Sequence, residues 1–140
     1  MFPKNISLKK INSFSKDTLL SHLQIEFIEI SDHSLTAKMP VNKNNSQPMG
    51  ILHGGASVAL AESIGSVGSN IIINSKLQYA VGLSINANHI RSAKGGDVIG
   101  KGVLVHNGKS THVWNIEIKN ENDQLVSTCR LTVMIINKNK

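Results

Sequence analysis

One carboxylate stands apart from the rest. Between Asp32 and Asp97 the only acidic residue is Glu62, in the middle of residues 54–69, where Ala56, Val58, Ala59, Leu60, Ala61, Ile64 and Val67 are apolar or small. Burying a lone carboxylate costs several kcal/mol unless it is partnered or used (on the order of 2–7 for a polar group without a hydrogen bond, more for a charge). In dry surroundings such a group serves as a nucleophile or general base whose pKa is set by its neighbours. The plain alternative is a helix-surface Glu at the end of a cleft, or one hydrogen-bonded to a Ser. Helical spacing puts Gly55, Val58, Ala59, Ser66 and Ser69 on the Glu62 face, with Ser66 one turn on. Ser66 is placed to orient a ligand or a water, or else to bond back to the Glu62 carbonyl.

A second feature precedes the helix: Gln47-Pro48-Met49-Gly50-Ile51-Leu52-His53-Gly54-Gly55. Two glycines at a helix start present N–H donors at the positive end of the helix dipole. A polarised carbonyl or oxyanion there gains about 3–4 kcal/mol per well-aimed donor. The alternative is no more than a flexible start. Gly54 and Glu62 are eight residues apart, roughly 12 Å along a helix, whereas reacting groups must lie within about 3–3.5 Å of one centre. One helix therefore cannot supply donor and acid to the same substrate. A second copy running antiparallel can, which predicts a homodimer with two composite sites.

The elements that must hold these groups follow from periodicity. Residues 8–23 carry apolar positions near helical spacing, with Asp17 at the expected cap of a second short helix. Period-two alternation marks strands over 24–30 and 35–39, and again over 81–91, 97–105, 111–119 and 124–136. Residues 41–50 are polar, with Pro48 and Gly50, and read as a loop. A helix without a charged outer face is buried, so residues 54–69 predict a central helix enclosed by strands. The connections at 93–96, 106–109 and 120–123 have turn chemistry, which predicts an antiparallel meander of the last four strands. The expected fold class is α+β, a six-stranded antiparallel sheet curled around one long helix, as one domain over 1–140 with a short helical segment at about 7–23.

Composition bounds the function. With 40% apolar and 17% charged residues in 140, the chain can bury a real core and is not disordered. One cysteine, Cys129, excludes an internal disulfide framework. Six histidines (His22, His33, His53, His89, His106, His112) show no metal-ligand spacing, and no phosphate-binding glycine pattern follows a strand. The net charge of +6 suggests an anionic partner, yet the cations are scattered along the chain and only Arg91 and Arg130 are arginines. With three Phe, one Trp and one Tyr there is little to stack on bases, so no nucleic-acid partner is expected. The excess better fits solubility or a small phosphorylated ligand. No run reaches the roughly 20 apolar residues of a membrane span, and residues 1–5 lead into no apolar signal core, so no membrane partner and a cytoplasmic location are expected.

The segment around the glycines and the acid resembles the catalytic segment of hotdog-fold acyl-CoA thioesterases. Within them it is most similar to the branch that hydrolyses 1,4-dihydroxy-2-naphthoyl-CoA in menaquinone synthesis. The resemblance rests on Met39-Pro40-Val41, Leu52-His53-Gly54-Gly55-Ala56-Ser57-Val58, Leu60-Ala61-Glu62-Ser63, Val81-Gly82-Leu83, Ile85-Asn86-Ala87-Asn88-His89, Arg91-Ser92-Ala93 and Val113-Trp114. It implies that Glu62 is the essential carboxylate, attacking the thioester or activating water, and that the Gly54 N–H polarises the thioester oxygen. Gln47 and Ser66 would orient the acyl carbonyl or the water, and His53 would hold the site loop and contact the thioester. Gly82, the strand end His89-Ile90-Arg91-Ser92 and the turn His106-Asn107-Gly108-Lys109-Ser110-Thr111 match positions that contact coenzyme A. Arg91 and Lys109 would then meet phosphate. Lys109-Ser110-Thr111 departs from the residues common in relatives. The resemblance also implies a homotetramer built from two dimers and no metal or redox cofactor, coenzyme A arriving as part of the substrate. Two other readings compete: a broad aryl- or phenylacetyl-CoA thioesterase, and a non-catalytic acyl-CoA-binding protein of the same fold.

Overall fold

The computed structural model describes residues 1–139. Two short helices, α1 (Leu8–Ser13) and α2 (Leu19–His22), precede strands β1 (Glu26–Ile30) and β2 (Ser34–Pro40). The long helix α3 (Gly54–Ile72) follows, and then β3 (Gln78–His89), β4 (Asp97–Asn107), β5 (Thr111–Lys119) and β6 (Leu125–Asn137). The six strands form one antiparallel sheet in the order β1-β2-β4-β5-β6-β3. The α+β architecture expected from the sequence is the observed one.

Two local expectations need correction. The N-terminal segment forms the two short helices expected, but Asp17 adopts φ +58 in the left-handed region and does not cap the second. The cap of α2 is then Thr18, whose side chain accepts from Leu20 N–H at 3.2 Å. The expected meander holds only from β4 to β6. Strand β3 lies at the sheet edge beside β6, so residues 90–96 cross to β4 instead of making a hairpin. That segment has its own partners: Ala93 C=O accepts from Leu52 N–H and Gly96 C=O from Val41 N–H, each at 2.8 Å. As expected, α3 lies in the curl of the sheet, against β2 to β6. It buries Ala56, Ser57, Leu60, Ala61, Ile64, Gly65, Gly68 and Ser69 on the sheet, while Val58, Ala59, Glu62, Ser63 and Ser66 stay half-open.

The sheet takes α3 so closely because of two glycines. A Cβ on Gly68 would stand 2.6 Å from the Trp114 ring, and one on Gly65 would stand 2.5 Å from Leu131. Trp114, Ile116, Leu131 and Val98, all fully buried, form the floor on which the helix rests. Burial of this kind supplies most of the helix's stability, since its Gly and Ser content alone would not.

Both edges of the sheet are closed at one residue by an asparagine. Asn12 of α1 exchanges two 2.9 Å hydrogen bonds with the Phe27 backbone of β1. Asn70 of α3 does the same for Ala80 of β3, at 2.8 and 2.9 Å. Beyond Ala80 the β3 edge runs on without another strand beside it, with Val81 and Leu83 exposed at 41% and 54%. An open edge of this length is a template for another chain.

Candidate active site

The start of α3 is built by an unusual cap. His53 has extended backbone and its Nδ1 accepts from Gly55 N–H at 2.8 Å. The sequence predicts two free glycine donors, but the imidazole uses one of them. The Gly54 N–H is given no acceptor among the described residues, so it is the open donor at the positive helix end.

Around that donor lies a cavity of about 280 Å³ whose walls include Gln47, Leu52, Ser57, His89, Arg91 and Val126. Gln47 sits in a turn closed by Gly50 N–H bonding to its carbonyl at 2.9 Å, with Gly50 at φ +79. The Gln47 Oε1 accepts from Met49 N–H, which leaves its amide nitrogen for the cavity. His89 packs against Gly54, where a Cβ would stand 2.7 Å from its Nε2. Behind it Ser127, fully buried, lies with its hydroxyl 3.2 Å from His89 Nδ1 and 3.3 Å from the Asn88 carbonyl. The same hydroxyl lies 3.6 Å from Cys129 Sγ. Burial pushes the Cys129 thiol pKa up, and the Ser127 hydrogen bond offsets part of that rise. The thiol is a buried, protonated group, as its place in an alternating strand suggests.

Glu62 is one-half of the story and sits elsewhere. It is half-buried at the margin of α3, and its carboxylate covers Gly82 of β3 so closely that a Cβ there would overlap it. Neither ion pair of the described residues, Lys38–Glu26 or Lys119–Asp123, involves it. Ser66, one turn on, does not bond back to the Glu62 carbonyl, although Ser63 does bond to Ala59 C=O at 2.6 Å. Ser69 leaves the Glu62 face altogether and points into the core, where it accepts from Trp114 Nε1–H at 2.9 Å.

Within one chain the expected residues therefore fall into three groups. Gln47, His53, Gly54, His89, Ile90, Arg91 and Ser92 gather at the start of α3. Glu62, Ser66 and Gly82 gather midway along it. Asn107, Gly108, Lys109 and Ser110 line a cavity of about 630 Å³ beyond Ile72, at the opposite end of the helix, and His106 and Thr111 belong to the same turn. The two ends are 18 residues, or about 27 Å, apart. Ser57 and Ser127 escaped the sequence reading. A Ser three residues after Gly54 on the buried face was the available signal for Ser57, and Ser127 had none.

Comparison with known proteins identifies the family. Residues 49–127 match the model of the thioesterase superfamily. A Vibrio cholerae protein, an esterase by name alone, is 50% identical over 132 residues, covering 94% of this chain and 87% of that one. The 1,4-dihydroxy-2-naphthoyl-CoA hydrolase of Escherichia coli is 43% identical over 136 residues, covering 97% and 99%. Among solved structures, a mutant thioesterase of Pseudomonas aeruginosa superposes with a TM-score of 0.95 at 37% identity, over 98% of this chain and 99% of that one. No helix of the described residues is long and apolar enough to cross a membrane. The match spans the capped helix, its acid and the strands that frame them: the chain belongs to the thioesterase superfamily, with the hotdog fold of its solved relatives.

Proposed function

We propose that the protein hydrolyses aromatic acyl-CoA thioesters, 1,4-dihydroxy-2-naphthoyl-CoA foremost, at two composite sites of a homodimer. One observation carries the reading: the free Gly54 donor and the half-buried Glu62 lie on one continuous helix, eight residues and about 12 Å apart. Neither is complete alone. Glu62 lies beside Gly82 on the open β3 edge, the side on which a second chain would pair. An antiparallel partner would bring its own Glu62 opposite Gly54.

The same geometry reconciles the two distant groups of coenzyme A residues. Glu62 and Ile72 are ten residues apart, so the partner's 106–111 turn would lie about 15 Å beyond the Gly54 donor. That leaves Arg91 of one chain and Lys109 of the other on either side of the phosphates. Two such dimers pairing would make the expected homotetramer.

In the reaction the Gly54 N–H stabilises charge on the thioester oxygen, reinforced by the helix dipole. The Glu62 carboxylate either attacks the carbonyl carbon, releasing the coenzyme A thiolate and giving an anhydride that water then hydrolyses to the free acid and Glu62, or takes a proton from a water that attacks the carbonyl carbon and expels the thiolate directly. Gln47 and Ser66 hold the carbonyl or the water. Neither route calls for a metal or redox cofactor. The name of the Escherichia coli relative supports the naphthoyl group.

Glu62→Gln tests the reading. It should lower kcat by about a thousandfold or more while Tm and coenzyme A binding are retained. Unchanged hydrolysis removes Glu62 from the mechanism. A panel of aryl and fatty acyl-CoAs tests the substrate, and equal kcat/KM across it defeats the naphthoyl assignment.

A further inference from the structure

The floor of the Gly54 cavity contains a polar group that no role above uses. Ser57 is 2% exposed and lines that cavity beside Leu52, Ala93 and Val126. Its hydroxyl has no hydrogen-bond partner among the described residues, unlike that of Ser63 on the same helix, which bonds to Ala59 C=O at 2.6 Å. Nor is it sealed in the core: Ser15 Oγ is the one described side-chain oxygen both enclosed and unpaired. The Ser57 hydroxyl thus keeps access to the cavity.

Which part of a substrate would meet it follows from the shape. The coenzyme A arm must leave past exposed Arg91 at the mouth, because it is far too long to be enclosed. The acyl group is left to occupy the floor. Ser57 lies three residues after Gly54, about 4.5 Å along the helix from the donor that holds the thioester oxygen. An oxygen on the ring carbon next to the one bearing the carbonyl falls within its reach.

We propose that Ser57 is a specificity-determining residue whose hydroxyl bonds a ring hydroxyl of the acyl group, so that the site favours hydroxylated aryl thioesters over their deoxy counterparts. The inference rests on the thioesterase reading of this site. A bare ring filling the floor would strip Ser57 of any partner, and an unpaired buried hydroxyl is unfavourable. A ring hydroxyl restores the bond, and sites built to bond a substrate hydroxyl discriminate strongly against analogues lacking it.

The experiment compares 1-hydroxy-2-naphthoyl-CoA with 2-naphthoyl-CoA, and 2-hydroxybenzoyl-CoA with benzoyl-CoA, on the full-length protein. For each pair the ratio of kcat/KM is taken for the natural sequence, Ser57→Ala and Ser57→Cys, so that intrinsic reactivity cancels between proteins. Ser57→Ala should lower the hydroxylated-to-deoxy ratio at least tenfold, about 1.4 kcal/mol, with Ser57→Cys in between. A ratio unchanged in both variants, or equal losses on both members of a pair, overturns the inference and leaves the thioesterase reading standing. If the natural protein cleaves none of the four thioesters, both fall together.

Discussion

The two ends of α3 carry similar groups put to opposite ends. At the start, His89 leans on Gly54 and is held from behind by Ser127, with its ring edge open to a cavity. Near the finish, Ser69 is fully buried and joins two strands: its hydroxyl lies 2.9 Å from His112 Nδ1 and accepts from Trp114 Nε1–H at 2.9 Å. A histidine and a serine mark both places. At one end they leave donors free, and at the other they satisfy each other in the dark. The contrast separates what binds from what holds the fold, and it makes each half open to a matched test.

Glycine substitution should break the comparison most sharply. In Gly68→Ala the new methyl meets the Trp114 ring, fully buried and with nowhere to move. Overpacking should outweigh the helix-propensity gain and remove about 3 kcal/mol of stability, read by urea unfolding, with kcat/KM retained in the fraction that folds. In Gly54→Ala the methyl meets the far edge of His89, an exposed ring held only by the Ser127 hydroxyl, so it can be displaced without disturbing the core. There the expected loss is at least tenfold in kcat/KM with Tm nearly unchanged. The reverse pattern would mean that the start of the helix is structural and the finish functional.

That pair also shows what could be read before the structure. Glu62 was conspicuous because a carboxylate among Ala, Ile and Val must be either paired or employed, and the Gly-Gly start announced the donor. Alternation located all six strands, because successive side chains of a strand point to opposite faces of the sheet. It could not say which strands are neighbours. β3 alternates equally well beside β4 or β6, so the 93–96 segment passed for a hairpin although it bonds to Leu52 and Val41. His53 as a cap was invisible for a related reason, since histidine is not among the residues favoured at that position. The Ser69–His112–Trp114 cluster joins positions 43 and 45 residues apart, and no local spacing reports such a contact.

Removing each serine sharpens the contrast at a smaller scale. Ser69→Ala leaves a ring nitrogen and an indole N–H unpaired inside the core. It should cost about 2 kcal/mol, seen as a lower midpoint in urea with turnover unaltered. Ser127→Ala removes the partner of His89 Nδ1, on a ring that lines the cavity, where water can reach it. Its stability loss should be less than half as large, accompanied by a several-fold fall in kcat/KM as His89 loses its fixed orientation over Gly54. Equal stability losses and no kinetic effect would erase the distinction between the two histidines.

The mildest test uses protons alone. Burial, and the neighbouring His106, hold the His112 pKa below its ordinary value of 6.5. In the fold the ring is neutral and bonded through Nδ1 to Ser69, whereas in the unfolded chain it takes up a proton as pH falls through 6.5. The unfolded state then binds more protons than the native one, so stability rises with pH between the lowered native pKa and 6.5. The contribution is complete above 6.5 and is lost on acidification. For a single group the slope cannot exceed about 1.4 kcal/mol per pH unit. Urea unfolding between pH 6.5 and 5 should show that slope in the natural sequence and lose it in His112→Gln, in which the proton has nowhere to go. If His112→Gln retains the full slope, His112 is not its source, and the finish of α3 is less closed than its hydrogen bonds indicate.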